Sequence, residues 1–371
     1  MKILTVIGTR AEATKMAPVI RLLRRTPSLE ARLCITAQHR EMLDEVLDLF
    51  DIRPDYDLNL MREDQSLPEL SAALFSALDG VLDEFRPEWI LVQGDTTTVA
   101  IASLLAYYRK VKVGHVEAGL RTGNKWSPFP EEINRRVASV IADLHFAPTE
   151  SARRNLLREG IDSETIVVTG NPQIDALQHM AAQPEPTEAL ELIRSLQLAD
   201  RRLILVTAHR RESFGEPLRN ICRALLRIAE RSDVQIVYPV HLNPNVRETV
   251  QAFLRDVPRV TLLPPLGYLT LVHTMKRARL ILTDSGGIQE EAAALGIPAL
   301  VMRSVTERPE GVEVGALRLV GTDEERIVSE TTRLLEGDAA HAEMARAGNP
   351  FGDGHASERI VRSLLRTPAA A

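Results

Sequence analysis

Cysteine is scarce in this chain: its 371 residues include only Cys34 and Cys222. They lie far apart and match no metal-ligand or redox spacing, which argues against a disulfide framework and fits a reducing compartment. Long hydrophobic runs are missing too. Residues 292–302 are the nearest approach to a membrane span, and they are short and broken by Gly296 and Pro298. Near the start, Arg10 and Glu12 arrive before the apolar core of a signal segment could form, so a cytoplasmic address is expected. There is no positive excess: 45 Lys and Arg stand against 51 Asp and Glu, a formal charge of -6. That balance speaks against nucleic-acid or anionic-membrane partners and requires any phosphate site to be built locally. Short repeats are absent, and low complexity is confined to the trailing residues 368–371, so solenoids and linkers are not in play.

What is present is an α/β rhythm. With 44% hydrophobic and 26% charged residues the composition is that of an ordinary globular protein. At roughly 150 residues per domain, the length calls for two domains. Apolar runs alternate with amphipathic stretches at 3–7, 18–25, 31–36, 40–50 and 89–93. After 184–200 the rhythm restarts, with apolar runs at 203–206, 235–240, 259–263, 280–282 and 299–302. The runs are nearly continuous rather than alternating, as in parallel sheets covered on both faces by helices. Two Rossmann-like doubly wound parallel-sheet domains facing across a ligand cleft are therefore expected. An expected strand at 165–168 runs into Gly170-Asn171-Pro172, which sets an N-terminal domain at 1–170 and a C-terminal one at 171–357. The amphipathic end, within 358–371, is expected to pack back on the first.

Strand ends carry the chemistry-bearing residues. Gly8-Thr9-Arg10-Ala11-Glu12-Ala13-Thr14-Lys15 follows the first strand; it is neither a Walker A loop nor a GxGxxG turn, and Arg10 and Lys15 would flank the cleft. Gln93-Gly94-Asp95-Thr96-Thr97-Thr98 puts Asp95 at a strand end, either facing the cleft or capping the next helix. Glu117, between apolar neighbours in Gly114 to Thr122, is costly unless something pairs with it. Pro128-Phe129-Pro130-Glu131-Glu132 reads equally as a dipole-compatible helix start. Convergence decides for function: Asp95, Glu117 and Glu131 all fall in loops of one sheet edge, a set suited to acid/base work.

The second half supplies anion-binding signals. Thr283-Asp284-Ser285-Gly286-Gly287 opens a helix after an apolar strand, so glycine backbone N–H groups and the helix dipole can meet a phosphate. Glu291, one turn on, is placed to bind a ribose diol. Thr207-Ala208-His209-Arg210-Arg211-Glu212 ends another strand, bringing His209 and Arg211 toward the same diphosphate, and Arg303 or Arg308 can clamp a phosphate or carboxylate.

Together these segments resemble the non-hydrolysing UDP-N-acetylglucosamine 2-epimerases, a bacterial family with the two-domain GT-B fold. The likeness covers nearly the whole chain and includes Gly8 to Pro18, Gln38-His39-Arg40-Glu41-Met42-Leu43, Pro128 to Arg135, Pro239 to Pro244, Thr283 to Glu291 and Thr306-Glu307-Arg308-Pro309-Glu310. It implies reversible interconversion of UDP-GlcNAc and UDP-ManNAc by anti elimination of UDP to a 2-acetamidoglucal and re-addition, with no cofactor. By motif position it implies Asp95, Glu117, Glu131 and His209 as catalytic residues, the three carboxylates in acid/base roles and His209 also on the diphosphate. Arg10, Lys15, Ser285, Gly286, Gly287, Glu291 and Arg308 are the implied substrate contacts. A second UDP-GlcNAc as allosteric activator, near Gln38, His39, Arg211 and His241, and a homodimer also follow from the resemblance. Ala11, Pro172 with Gln173, Ser213 and Leu271 depart from the family pattern, and none of them removes a carboxylate or a phosphate ligand. A hydrolysing epimerase, a GT-B glycosyltransferase and a nucleotide-sugar-binding regulator are the competing readings; three carboxylates favour two-sided proton traffic at C2.

Overall fold

The computed structural model describes residues 1–36, 40–62 and 65–367. They divide into two compact units, residues 1–176 with the chain from 351 onward, and residues 177–350. In the first unit the described strands are β1 (Lys2–Ile7), β2 (Glu30–Ile35), β3 (Tyr56–Asp57), β4 (Trp89–Gln93), β5 (Lys112–Val116), β6 (Leu144–Ala147) and β7 (Ile166–Val168). They form one parallel sheet in the order β3-β2-β1-β4-β5-β6-β7. Every residue of β4 is buried, as expected for a central strand covered on both faces.

The second unit repeats the plan with β8 (Arg202–Thr207), β9 (Val234–Pro239), β10 (Val260–Leu263), β11 (Leu280–Thr283), β12 (Ala299–Val301) and β13 (Leu317–Leu319). Its parallel order is β10-β9-β8-β11-β12-β13. In both sheets the chain winds outward in opposite senses from a central pair, β1/β4 and β8/β11. At such a switch point the loops leaving the two strands diverge and open a crevice at their carboxyl ends. The sequence motifs after these four strands therefore border two crevices, one per unit.

Two features differ from the sequence reading. The first amphipathic stretch begins at Arg10, not Pro18: the helix runs Arg10–Arg25 with Pro18 inside it. An interior proline removes one helical hydrogen bond, which is offset by a capping box between Thr9 and Glu12 and by a buried face including Met16, Ile20 and Leu23. The strands β3, β6 and β13 were not expected; they have two to four residues, too few to show a periodicity. The final helix, Ala356–Arg366, belongs to the first unit and packs on the helix Arg10–Arg25.

Candidate active site

In the first unit, the loops after β1 and β4 are tied together by Glu12. Its Oε2 accepts hydrogen bonds from the N–H groups of Gly8 (2.7 Å) and Thr9 (2.6 Å), and its Oε1 accepts from the Thr96 hydroxyl (2.7 Å). Burial pushes this carboxyl up from its ordinary range while these hydrogen bonds oppose the shift. Thr96, not Asp95, caps the helix Thr97–Tyr108, accepting from Val99 N–H. Asp95 is thereby released from the capping alternative. Its Oδ2 instead lies 2.6 Å from Arg135 Nη2 and 2.9 Å from Nε, and Asn134 donates to its carbonyl at 2.9 Å.

Asn134 and Arg135 belong to the helix Glu131–Ile141, so Glu131 opens a helix rather than lying in a loop. The two adjacent glutamates there are unlike. Glu132 is fully buried; it accepts from Thr122 N–H (3.1 Å), Gly123 N–H (3.2 Å) and Arg135 Nη1 (2.9 Å). Glu131 has a buried Oε2 with no hydrogen-bond partner among the described residues. A buried carboxylate oxygen left unpaired costs free energy in the resting protein and is retained where a proton or ligand will meet it.

Glu117 follows β5 in the left-handed conformation, with φ 63°, a strained backbone for a side chain of this size. Lys15 Nζ is 2.7 Å from both carboxylate oxygens, Asn171 Nδ2 donates at 3.0 Å, and Gln93 Nε2 donates to Oε2. Lys15 is therefore committed to a carboxylate in this structure. Gly94, at φ 80°, passes beside that group, and a Cβ there would stand 3.5 Å from Glu117 Oε2. His115 fixes the same turn: its Nε2 is 2.7 Å from the Gly94 carbonyl, and burial holds its pKa down at about 3, so it is neutral and Nε2 is the donor. Arg10 stands at the first position of its helix and is half-buried.

In the second unit the turns after β8, β11 and β12 bring arginines and a helix start together, with acids paired to the arginines. The helix Gly286–Ala294 starts after Ser285, whose side chain makes no capping bond, so the first helical N–H groups lack that acceptor. A Cβ on Gly286 would come within 3.0 Å of the Arg308 guanidinium, whereas one on Gly287 would meet nothing within 4 Å. Arg308 thus lies against the helix start, with open space next to it. Its Nε donates to Glu290 (2.7 Å), and Glu307 sits 3.8 Å from Nη1. Arg303 bridges Glu307 (2.8 Å) and Glu212 (2.6 Å). Burial alone would raise Glu307, but Arg308, Arg303 and Arg210 outweigh it and hold the carboxyl at about 2. Glu291 is buried and accepts from the Tyr268 hydroxyl at 2.8 Å.

His209 lies beyond β8 with its ring stacked on that of His241, centroids 5.3 Å apart and planes 14° from parallel. Burial pushes His209 down, with Arg210 and His241 adding to this and Asp284 opposing it. Arg211 is exposed, in a short 3-10 turn, and Gln38 and His39 lie outside the described residues.

Residues 21–365 match the family model described as UDP-N-acetylglucosamine 2-epimerase. This chain belongs to that family. It is 54% identical over 369 residues to the UDP-N-acetylglucosamine 2-epimerase of Escherichia coli strain K12, covering 98% of each chain. The crystal structure of the Neisseria meningitidis UDP-GlcNAc 2-epimerase bound to UDP-GlcNAc superposes with a TM-score of 0.93 at 48% identity, over 99% of this chain and 100% of that one. The Methanocaldococcus jannaschii UDP-GlcNAc 2-epimerase in complex with UDP-GlcNAc and UDP gives a TM-score of 0.85 at 35% identity, over 99% and 100%. The fold of this 2-epimerase family member is GT-B, with two parallel α/β units. Sequence reasoning left out several of the residues that shape its crevices: Arg135, Asn171, Gln93, Glu12 and Asp284. Each stands within a few residues of a strand end or helix start, and that position was the available signal.

Proposed function

We propose that this chain interconverts UDP-GlcNAc and UDP-ManNAc without hydrolysis. A carboxylate takes the C2 proton while the C1–O bond to UDP breaks, leaving a 2-acetamidoglucal and UDP. Re-addition returns the UDP oxygen to C1 and a proton to the opposite face of C2. There is no net oxidation, so acid/base groups and anion stabilisation suffice. The observation that carries this reading is the unpartnered, buried Oε2 of Glu131, the one acidic group of the three whose free lone pairs are enclosed. Asp95 and Glu117 complete the acid/base set, with Arg135 and Lys15 as their cations. The helix start at Gly286 and Gly287, with Ser285, Arg308 and His209, holds the diphosphate, and Glu291 takes the ribose; Arg10 completes the contacts.

Three further parts of the reading go with it. Tyr107, Tyr108 and Val140 expose 66%, 63% and 80% of their surface on helices of the first unit, which supports a homodimer; sedimentation analysis tests it. His241 and Arg211, with Gln38 and His39, are assigned to a second, activating UDP-GlcNAc. The enzyme acts in the cytoplasm, upstream of polymers that incorporate ManNAc; among the described residues no helix is long and apolar enough to cross a membrane.

Proton NMR with UDP-GlcNAc in D2O is the test. UDP-ManNAc growing to a steady mixture with deuterium at C2 is expected; free ManNAc with UDP would assign the hydrolysing reaction, and an unchanged spectrum would overturn the reading.

A further inference from the structure

The crevice of the second unit contains a buried acid that the proposed chemistry leaves unused. Thr207 and Thr283 are paired across β8 and β11, and their hydroxyls meet at 2.7 Å. Beyond this pair the strands part, with Asp284 N–H still donating to the Thr207 carbonyl at 3.1 Å. Asp284 is fully buried and uses one oxygen as an anchor: Oδ2 accepts from the N–H groups of both His209 and Arg210, each at 2.8 Å. Its other oxygen, Oδ1, is buried and has no hydrogen-bond partner among the described residues. That oxygen faces His209 Nδ1 at 3.5 Å, longer than a good hydrogen bond. Contacts of this length tighten when a charged ligand docks beside them.

We propose that Asp284 is a positioning residue for His209, accepting Nδ1–H so that Nε2 faces the phosphates and letting the ring take up a proton from solvent when a nucleoside diphosphate docks. This rests on the reading of the second unit as the UDP site. Groups already described meet the ring on one face and one edge and fix its backbone. His241 covers one face, Asp284 meets the Nδ1 edge, and Asp284 also fixes the backbone from which the ring projects. The remaining nitrogen, on the opposite edge, is the one that can reach a ligand.

The charges facing His209 are Asp284 from the turn after β11, Arg210 from its own loop and His241 from the turn after β9. Burial, Arg210 and His241 keep the free ring neutral near pH 7, and Asp284 alone favours the cation. A diphosphate adds negative charge on the Nε2 side, so the ring then lies between two anions. In that state Nε2–H donates a charge-assisted hydrogen bond to a phosphate oxygen, and the departing UDP meets a donor that the free protein did not carry as a charge.

Calorimetry of UDP binding at pH 7.5, in two buffers of different ionisation enthalpy, gives the protons taken up per UDP bound. The wild-type chain is expected to take up a substantial fraction of a proton. Asp284→Asn and His209→Gln are each expected to take up none, with UDP bound about tenfold more weakly. An Asp284→Asn protein that binds weakly but keeps the wild-type uptake would show that Asp284 merely anchors the turn, overturning the inference. UDP binding without uptake by the wild-type chain would also overturn it, while leaving the UDP site standing. If the wild-type chain binds no UDP, site and inference fall together. Nitrogen-15 spectra of the ligand-free wild-type protein, assigned with His209→Gln, keep the test open should Asp284→Asn misfold: the Nδ1–H form is expected, and the Nε2–H form would overturn the inference.

Discussion

The two crevices of this protein are built on the same strand order and are chemically opposite. After β1, β4 and the neighbouring β5 the loops present acids, each held by a cation or a capping bond: Asp95 by Arg135, Glu117 by Lys15, Glu12 by backbone N–H groups. At β8/β11 they present an uncapped helix start beneath Arg308, with the acids Glu290, Glu307 and Asp284 set behind as supports. One switch point thus suits proton transfer and the other suits a diphosphate. A doubly wound sheet supplies the crevice, and the residues after four strands decide its use.

Glu131 and Glu132 offer the sharpest way to break this division. Glu131→Gln is expected to lower turnover by about a thousandfold with UDP affinity unchanged, as measured by NMR rates and calorimetry; near-wild-type turnover would remove it from the acid/base set. Glu132→Gln should do the reverse in kind. It removes the charge facing buried Arg135 and turns one of the two accepting oxygens into a donor opposite a backbone N–H or the guanidinium, so a loss of about 3 kcal/mol in urea unfolding is expected, whereas Glu131→Gln should leave stability nearly unchanged.

In the second unit, Gly287→Val places a side chain in open space above the helix start. It should fold normally and weaken UDP binding about tenfold, with calorimetry as the check; undiminished binding would move the diphosphate away from this helix.

The smallest effect is a pH slope. His115 titrates near 6.5 unfolded and about 3 folded, so between those values the unfolded chain binds the extra proton. Its contribution to stability is therefore fully present above about pH 6.5 and declines as the pH falls toward 3. His115→Gln, which can still donate to the Gly94 carbonyl, should flatten the fall in melting temperature between pH 7.5 and 5; an unchanged slope would assign the loss to other groups, His145 among them, which burial also pushes down.

Much of this was legible in the sequence, because buried parallel strands announce themselves as continuous apolar runs and their ends as polar motifs. The alternation of such runs was enough to expect two doubly wound sheets. It was not enough for β3 and β13, short edge strands of two and three residues. The amphipathic stretch was expected to begin at Pro18, while the helix start is set by Thr9 and Glu12 reaching each other across the cap. Lys15 looked like a cation for a phosphate; only the fold brings it to Glu117, 102 positions away. Glu131 and Glu132 are adjacent and identical in type. Which is supported and which is left unpaired depends on Thr122 and Gly123, whose N–H groups converge on Glu132 from another loop.

The route of the chain between the units has a consequence for dissection and design. The second unit is one continuous segment, 177–350, inserted into the first. Its two ends leave and re-enter where Asn171 N–H donates to the Phe351 carbonyl at 2.7 Å, and where a Cβ on Gly170 would stand 3.0 Å from the Gly352 Cα. Departure and return are thus neighbours in space. Splicing the chain across that point with a short connector would excise the insert as a module and leave the host sheet continuous, a cut that domain shuffling could exploit as readily as an engineer.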